Sequence, residues 1–180
     1  VCVNPTRTGL FDWLRLIGAD VAHRPSGHGA GDEPMAEISV AHGGIRGSVA
    51  GGELIVRMID EIPAVCALAT VASGQTEIRD AAELRVKESD RIATMAQVLG
   101  SFGVPCEELP DGMIVTGGAA LHGAEIESRG DHRIAMSAAL LGMLAEGETT
   151  IDGAEAVDTS FPGFVALMRS LGADITEETL

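Results

Sequence analysis

The chain repeats itself, and the repeat limits the folds open to it. Gly74-Gln75-Thr76-Glu77-Ile78-Arg79-Asp80-Ala81 returns as Gly147-Glu148-Thr149-Thr150-Ile151-Asp152-Gly153-Ala154, 73 positions later. Upstream of each copy lies a small-residue apolar segment, 59–73 and 132–146. Downstream lies a polar turn and an amphipathic segment, 92–101 and 162–170. Each amphipathic segment closes on an apolar residue, a glycine and a strand-like run: Phe102-Gly103-Val104 and Leu171-Gly172-Ala173-Asp174-Ile175. The opening of the chain carries the same closure, Ile17-Gly18-Ala19-Asp20-Val21. A unit that recurs in this way cannot bury its apolar face alone and must stack on its copies.

The unit reads as helix, strand, helix, strand and a further strand. Ile92, Met95, Ala96 and Leu99 follow helical spacing. Gly18, Gly103 and Gly172 stand where a helix C-terminus wants a left-handed residue. Ile38–Ala50 and Met113–Thr116 read as strands, with Pro110-Asp111-Gly112 as a turn. Gly27–Pro34 reads as a loop. The Ala-, Met-, Leu- and Gly-rich helices are apolar nearly all round, so they belong inside, with the amphipathic ones outside. The fold class expected is repeated α/β. The interval also sets Asp60 opposite Arg133, each just ahead of a small-residue helix. Copies related by rotation about one axis would open both helix starts on one surface.

Bulk properties exclude several functions. A chain of 180 residues is one domain or part of a larger one. A net charge of −15 disfavours nucleic acid and anionic membranes as partners. It does not exclude a small anion, because distant charges are screened beyond roughly 8 Å and a few nearby arginines can outweigh the global field. Aromatics make up 3% with no Tyr, too few for a base- or sugar-stacking surface. No apolar run reaches the length of a membrane span. Cys2, Cys66 and Cys106 are widely spaced, so neither a disulfide framework nor a zinc site is expected, and a reducing cytoplasm is the simpler reading. There is no signal-peptide pattern and no initiator Met, so the chain reads as an excised piece.

The chemistry concentrates in Leu84-Arg85-Val86-Lys87-Glu88-Ser89-Asp90-Arg91, where five of eight residues are charged at the approach to a helix. Backbone N–H groups already favour anions there. The bland reading is a solvated helix start capped by Asp90 or Ser89. The functional reading is a site that holds an anion while Glu88, between Lys87 and Arg91, gains or loses a proton. In Met58-Ile59-Asp60-Glu61-Ile62-Pro63, Asp60 caps a helix, accepts a proton from a substrate hydroxyl, or does both. In Gly130-Asp131-His132-Arg133, no Ser sits in a nucleophile motif and no further ligand stands at metal spacing. Arg133 presented to an anion is the better reading, and the bland one has Asp131 as cap and His132 packed behind it. Asn4-Pro5-Thr6-Arg7-Thr8-Gly9 is a capped helix start in which Arg7 touches substrate, a neighbouring lobe, or neither. Asp158-Thr159-Ser160-Phe161-Pro162 is a candidate by the repeat alone.

Together LRVKESDR (84–91), MIDEIP (58–63), GDHRIAM (130–136), DTSFPGF (158–164) and NPTRTG (4–9) resemble the 5-enolpyruvylshikimate-3-phosphate (EPSP) synthases, in the form found in class II bacterial enzymes. The likeness covers nearly the whole chain but only the C-terminal part of that family. It implies a fold of two lobes, each of three βαβαββ units in an inside-out α/β barrel, with this chain as part of one lobe. Residues 1–22 would end one unit, 36–116 form a second and 124–180 a third. It implies enolpyruvyl transfer from phosphoenolpyruvate to the 5-hydroxyl of shikimate 3-phosphate, in the cytoplasm, with no metal or organic cofactor. It implies Asp60 as acceptor of the hydroxyl proton and Glu88 as the proton carrier at the enolpyruvyl methylene. Lys87 would hydrogen-bond the shikimate hydroxyls, and Arg91 and Arg133 would clamp phosphoenolpyruvate. The missing N-terminal lobe would be the essential partner, so the chain alone is expected to be inactive.

Two positions depart from part of the family: Thr159 stands where some members have Lys, and Glu83 where some have a substrate-contacting Asn. Two rivals fit the same residues less well. The UDP-N-acetylglucosamine enolpyruvyl transferases share the chemistry but are not expected to carry RVKESDR. A non-catalytic α/β scaffold needs neither Asp60 nor Glu88 at a helix start.

Overall fold

The structure, a computed structural model, describes residues 1–41 and 43–178. Helix α1 (Gly9–Leu16) leads into a hairpin of β1 (Asp20–His28) and β2 (Pro34–Ala41). The middle of the chain holds β3 (Val49–Ala50), α2 (Glu53–Val56), α3 (Ile62–Ala69), β4 (Gln75–Ile78), α4 (Arg91–Ser101), β5 (Cys106–Leu109) and β6 (Gly112–Thr116). The last third holds β7 (Glu125–Glu127), α5 (His132–Gly142), β8 (Thr150–Asp152) and α6 (Phe164–Ser170).

The repeat is visible in the pairing. Strand β3 runs parallel to β4, and β4 and β5 flank β6 antiparallel, giving the order β3-β4-β6-β5. This is one βαβαββ unit. In the next copy β7 runs parallel to β8, across α5. Val49↔Glu77 in the first pair corresponds to Glu125↔Thr150 in the second, and the isolated parallel bridge Arg46↔Ser73 corresponds to His122↔Glu146. One glycine device also recurs. A Cβ on Gly47 would sit 2.0 Å from the Gln75 carbonyl oxygen, and one on Gly123 would sit 2.1 Å from that of Glu148. Only glycine lets these backbones approach so closely.

Helices α3 and α5 are the inner pair. Ile62, Pro63, Val65, Cys66, Ala67 and Ala69 of α3 are buried, as are Ile134, Ala135, Ser137, Ala138, Ala139 and Leu141 of α5. Small residues let the two pack against each other. Helix α4 buries one face, including Ile92, Met95, Val98 and Leu99, and leaves the other to solvent, as its amphipathic pattern requires. Trp13, Ile17, Met58, Ile78, Leu84 and Phe102 complete a core that runs from α1 to α5. Gly18, Gly103 and Gly172 all adopt positive φ behind their helices, at 99°, 82° and 97°.

The structure corrects three readings. Gly27–Pro34 is not all loop: β1 continues through His28 across a bulge at Pro25/Gly27, and the turn is confined to residues 29–33. Both strands are largely exposed, so neither needed the apolar alternation that marks a half-buried strand. Ile38–Ala50 is not one strand. Residues 34–41 pair with β1, Gly43 and Gly44 lie outside any strand, and Val49–Ala50 joins another sheet (position 42 lies outside the described residues). The run 171–175 forms no ladder among the described residues.

Candidate active site

The charged segment 84–91 folds as a 3-10 turn, Ala82–Val86, followed by the start of α4. Asp90 caps α4 by accepting the Ala93 N–H at 3.0 Å. It also accepts Arg85 Nη1 at 2.9 Å. Burial pushes the Asp90 carboxyl up, but the Ala93 N–H and the Arg85 guanidinium outweigh it and hold the group below the usual carboxylate range. Arg85 goes on to Glu108 (2.9 Å) and to the carbonyls of Leu109 and Pro110 (both 2.7 Å). It is therefore a brace between the turn and the β5–β6 hairpin. Lys87, Glu88 and Arg91 remain to face the site.

Asp60 is the centre of that site. It lies in a 3-10 turn, Ile59–Glu61, leading into α3, and its side chain caps no helix. The capping expected of it does not occur, because Glu61 takes the position before α3. Its carboxylate instead meets cations from every part of the chain. Lys87 Nζ is 3.9 Å and Arg91 Nη1 3.7 Å from Oδ1. Arg7 Nη1 is 3.4 Å and Arg133 Nη2 3.9 Å from Oδ2. Arg133 Nη1 also donates to the Asp60 carbonyl at 2.7 Å, joining the two helix starts that the repeat interval set opposite each other. Lys87, the one lysine in the sequence, is steadied by Glu83 Oε1 at 2.5 Å.

Arg91 is not an open cation. Its side chain is 1% exposed, and Asp131 beside it is fully buried. Nε donates to Asp131 Oδ2 at 2.8 Å, and Nη2 donates to Glu88 Oε2 at 2.6 Å. Asp131 also accepts the Ser89 hydroxyl at 2.9 Å and caps α5 through the Arg133 N–H at 3.0 Å. Burial pushes Asp131 up, but the Arg91 guanidinium, the Ser89 hydroxyl and the Arg133 N–H more than offset this and hold it below the usual range. Asp131 thus ties α4 to α5. Glu88, with half its side chain exposed, is the accessible one of the two carboxylates that hold Arg91.

The cluster holds one more carboxylate than cations. Arg7, Lys87, Arg91 and Arg133 face Asp60, Glu61, Glu83, Glu88 and Asp131. The local arginines are met by these carboxylates and do not stand as uncompensated positive charge. Glu61 carries the cost: burial pushes its carboxyl above the usual range, against the pull of Arg133 3.8 Å away.

The structure thus brings Asp60, Lys87, Glu88, Arg91 and Arg133 together. Thr159 and Ser160 are spent on their own turn, donating to the carbonyls of Ala156 and Val157. The repeat gives the reason: Phe161-Pro162-Gly163-Phe164 stands where the other copy has Glu88-Ser89-Asp90-Arg91. His132 is half-buried beside Arg133. The residue that sequence reasoning undervalued is Asp131, read only as a cap. Its partner Arg91 is 40 positions away, and no local pattern joins them. A concavity of about 800 Å³ lies elsewhere, among Leu14, Ile17, Val40, Leu68 and Val71.

Comparison with known proteins identifies the family. The profile of the family "EPSP synthase (3-phosphoshikimate 1-carboxyvinyltransferase)" matches residues 1–168. A 3-phosphoshikimate 1-carboxyvinyltransferase of Pelotomaculum thermopropionicum is 51% identical over 97% of this chain and 40% of its own length. One of Roseiflexus castenholzii is 49% identical over 95% of this chain and 39% of its own. An EPSP synthase structure from Acinetobacter baumannii superposes with a TM-score of 0.92 at 38% identity, over 99% of this chain and 41% of that one. The enolpyruvyl transferase NikO of Streptomyces tendae, at a TM-score of 0.71 and 23% identity over 97% of this chain and 37% of that one, shares the fold. The chain spans about 40% of the length of the curated relatives it matches.

Proposed function

The chain belongs to the EPSP synthase family, and on that premise we propose that it forms part of the C-terminal lobe of a 3-phosphoshikimate 1-carboxyvinyltransferase. The observation that carries this reading is the convergence of four cations, from segments far apart in sequence, on the single carboxylate of Asp60. In this reading the 5-hydroxyl of shikimate 3-phosphate adds to the enol carbon of phosphoenolpyruvate. Asp60 takes the hydroxyl proton, and Glu88 delivers a proton to the methylene carbon. The tetrahedral adduct then loses phosphate and returns a proton from its methyl group, giving the enolpyruvyl ether. Lys87 holds shikimate hydroxyls, while Arg91 and Arg133 grip phosphoenolpyruvate.

The geometry supports these roles in one specific way. Arg91 Nε is committed to Asp131, and Nη2 to Glu88. An anion that reaches Nη2 displaces Glu88, and the displaced carboxylate then stands beside the bound substrate, where a proton carrier is needed. Net positive charge must come from the remaining lobe, because the carboxylates here outnumber the cations. No described helix is long and apolar enough to cross a membrane, and the three cysteines are free, which fits a reaction in a reducing cytoplasm.

The test joins this chain to the remaining three-fifths of the Pelotomaculum thermopropionicum relative and measures phosphate release. Asp60→Asn and Glu88→Gln are expected to lower kcat at least about a hundredfold, the usual weight of a proton-transfer group. Arg24→Gln, on the exposed hairpin and paired with Glu37, is the control. Retention of activity within about threefold in Asp60→Asn sinks the assignment, since any group worth keeping for proton transfer contributes more than that.

A further inference from the structure

We propose that Arg7 is a further substrate-binding residue, which together with Arg133 grips one anionic group of phosphoenolpyruvate beside Asp60. The inference rests on the reading of the site just given.

Three observations lead to it. The first is position. Arg7 and Arg133 approach the same oxygen, Asp60 Oδ2, at 3.4 and 3.9 Å, while Lys87 and Arg91 approach Oδ1. Two guanidinium groups held so near one atom repel each other, an effect that Asp60 and, at 3.8 Å from Arg133, Glu61 offset only in part at these distances. A bound anion between them relieves that repulsion.

The second is the distribution of free charge. Arg91 is enclosed by Asp131 and Glu88, and Lys87 by Glu83. Among the described residues Asp60 is the one ionic partner of Arg7, whose side chain is 73% exposed. The exposed cationic edge of the cluster therefore lies at Arg7, beside Arg133, which Glu61 also meets at 3.8 Å. A pair so exposed contributes little to folding, so stability gives no reason to hold Arg7 there.

The third is that the backbone beneath Arg7 is fixed with unusual thoroughness for a surface turn. Residues Pro5–Arg7 form a 3-10 turn capped by Asn4, whose Oδ1 accepts the Thr6 N–H at 3.0 Å and the Thr6 hydroxyl at 2.8 Å. Asn4 Nδ2 donates to Glu33 at 3.0 Å, fastening the turn to the β1–β2 hairpin. Arg57 Nη1 donates to the Pro5 carbonyl at 3.3 Å, the Arg57 carbonyl accepts Gly9 N–H at 3.2 Å, and Arg57 is itself held by Asp12 at 2.6 Å. A Cβ on Gly9 would lie 2.8 Å from the Arg57 carbonyl carbon, so glycine is what lets the turn dock. The turn is anchored at both ends while its arginine is left to solvent at the edge of the site. That is preorganisation of a binding group, which lowers the ordering cost when a ligand arrives.

The experiment is a titration of the 180-residue chain with phosphoenolpyruvate, followed by the side-chain N–H resonances of its arginines. Saturable, weak binding by the parent is expected. Arg7→Gln is expected to weaken it about tenfold and Arg7→Lys about threefold, the range for a charged contact at a partly exposed site. Arg24→Gln is expected to bind like the parent. Thermal midpoints of both Arg7 variants should stay within about 2 °C of the parent, because the exposed pair adds little stability. Equal affinity within about twofold in Arg7→Gln overturns this inference alone, since a tenfold loss is what the lost contact predicts. A parent chain that shows no saturation by about 50 mM overturns this inference, while the reading of the site is decided separately by phosphate release from the joined protein.

Discussion

Replacing Asp131 by Asn isolates the buried ion pair on which the site is built. Asn keeps the size of Asp and remains a good helix cap, so the start of α5 is preserved. What is lost is a negative charge with no solvent exposure, 2.8 Å from Arg91 Nε, in contact with a guanidinium that is itself 1% exposed. Breaking such a pair by removing one partner costs about 3–5 kcal/mol, because the other charge stays buried. Glu88 still reaches Arg91 Nη2 at 2.6 Å, and the Asn oxygen can still accept one N–H. The lower end, about 3 kcal/mol or roughly 6–12 °C in Tm, is therefore expected. The assay is urea unfolding followed by circular dichroism at several pH values. Asp131 is held below its ordinary range, so its contribution is complete above the unfolded pKa of about 3.9 and fades as pH falls through the lower folded value. Parent and variant should thus converge in acid. Adding Arg91→Met to Asp131→Asn removes the stranded charge and should recover part of the loss. A deficit under about 1 kcal/mol at pH 7, or one that does not shrink in acid, would refute the claim that this pair joins α4 to α5.

Two further outcomes follow from burial and close approach. With Ellman's reagent at pH 8, exposed Cys2 should react at once, while buried Cys66, its thiol pushed up to about 12 by desolvation, should react only on unfolding. A fast second equivalent assigned to Cys66 by peptide mapping would contradict the packing of α3. Gly47→Ala should cost about 3 kcal/mol by driving a methyl into the Gln75 carbonyl, whereas Gly100→Ala, in open space on α4, should stabilise by about 0.5–1 kcal/mol. Similar effects in the two variants, measured by urea unfolding, would show that the parallel pairing of this region is misread.

Most of the architecture was legible in the residues because the repeat supplies its own comparison. Gly74 and Gly147 mark equivalent strand entries, and Gly18, Gly103 and Gly172 mark equivalent helix ends, each by a backbone requirement that glycine meets. The apolar, small-residue character of α3 and α5 identified them as inner helices. The hairpin β1–β2 was hidden because its strands are exposed on most positions and carry Pro25 and Gly27, which read as breakers. In the site, the charge run at 84–91 and the pair Asp60/Arg133 stood out by composition and spacing. Their division of labour did not. Arg85 and Arg91 look alike in sequence, yet Arg85 braces a hairpin and Arg91 lies buried against Asp131.

The order of residues by itself determined where the main helices fall, which of them are buried, and that carboxylates and cations cluster at two helix starts. These follow from local periodicity, glycine geometry and internal duplication, all of which act over a few residues or a fixed interval. Packing alone decided which cation is spent on structure and which remains open. It paired Arg91 with Asp131, set Asp60 free of capping, and left Arg7 at the solvent edge. Such choices depend on distances between atoms 40 to 73 positions apart, and on whether water can reach them. Coulomb attraction and desolvation depend on that final proximity, which a linear pattern does not encode.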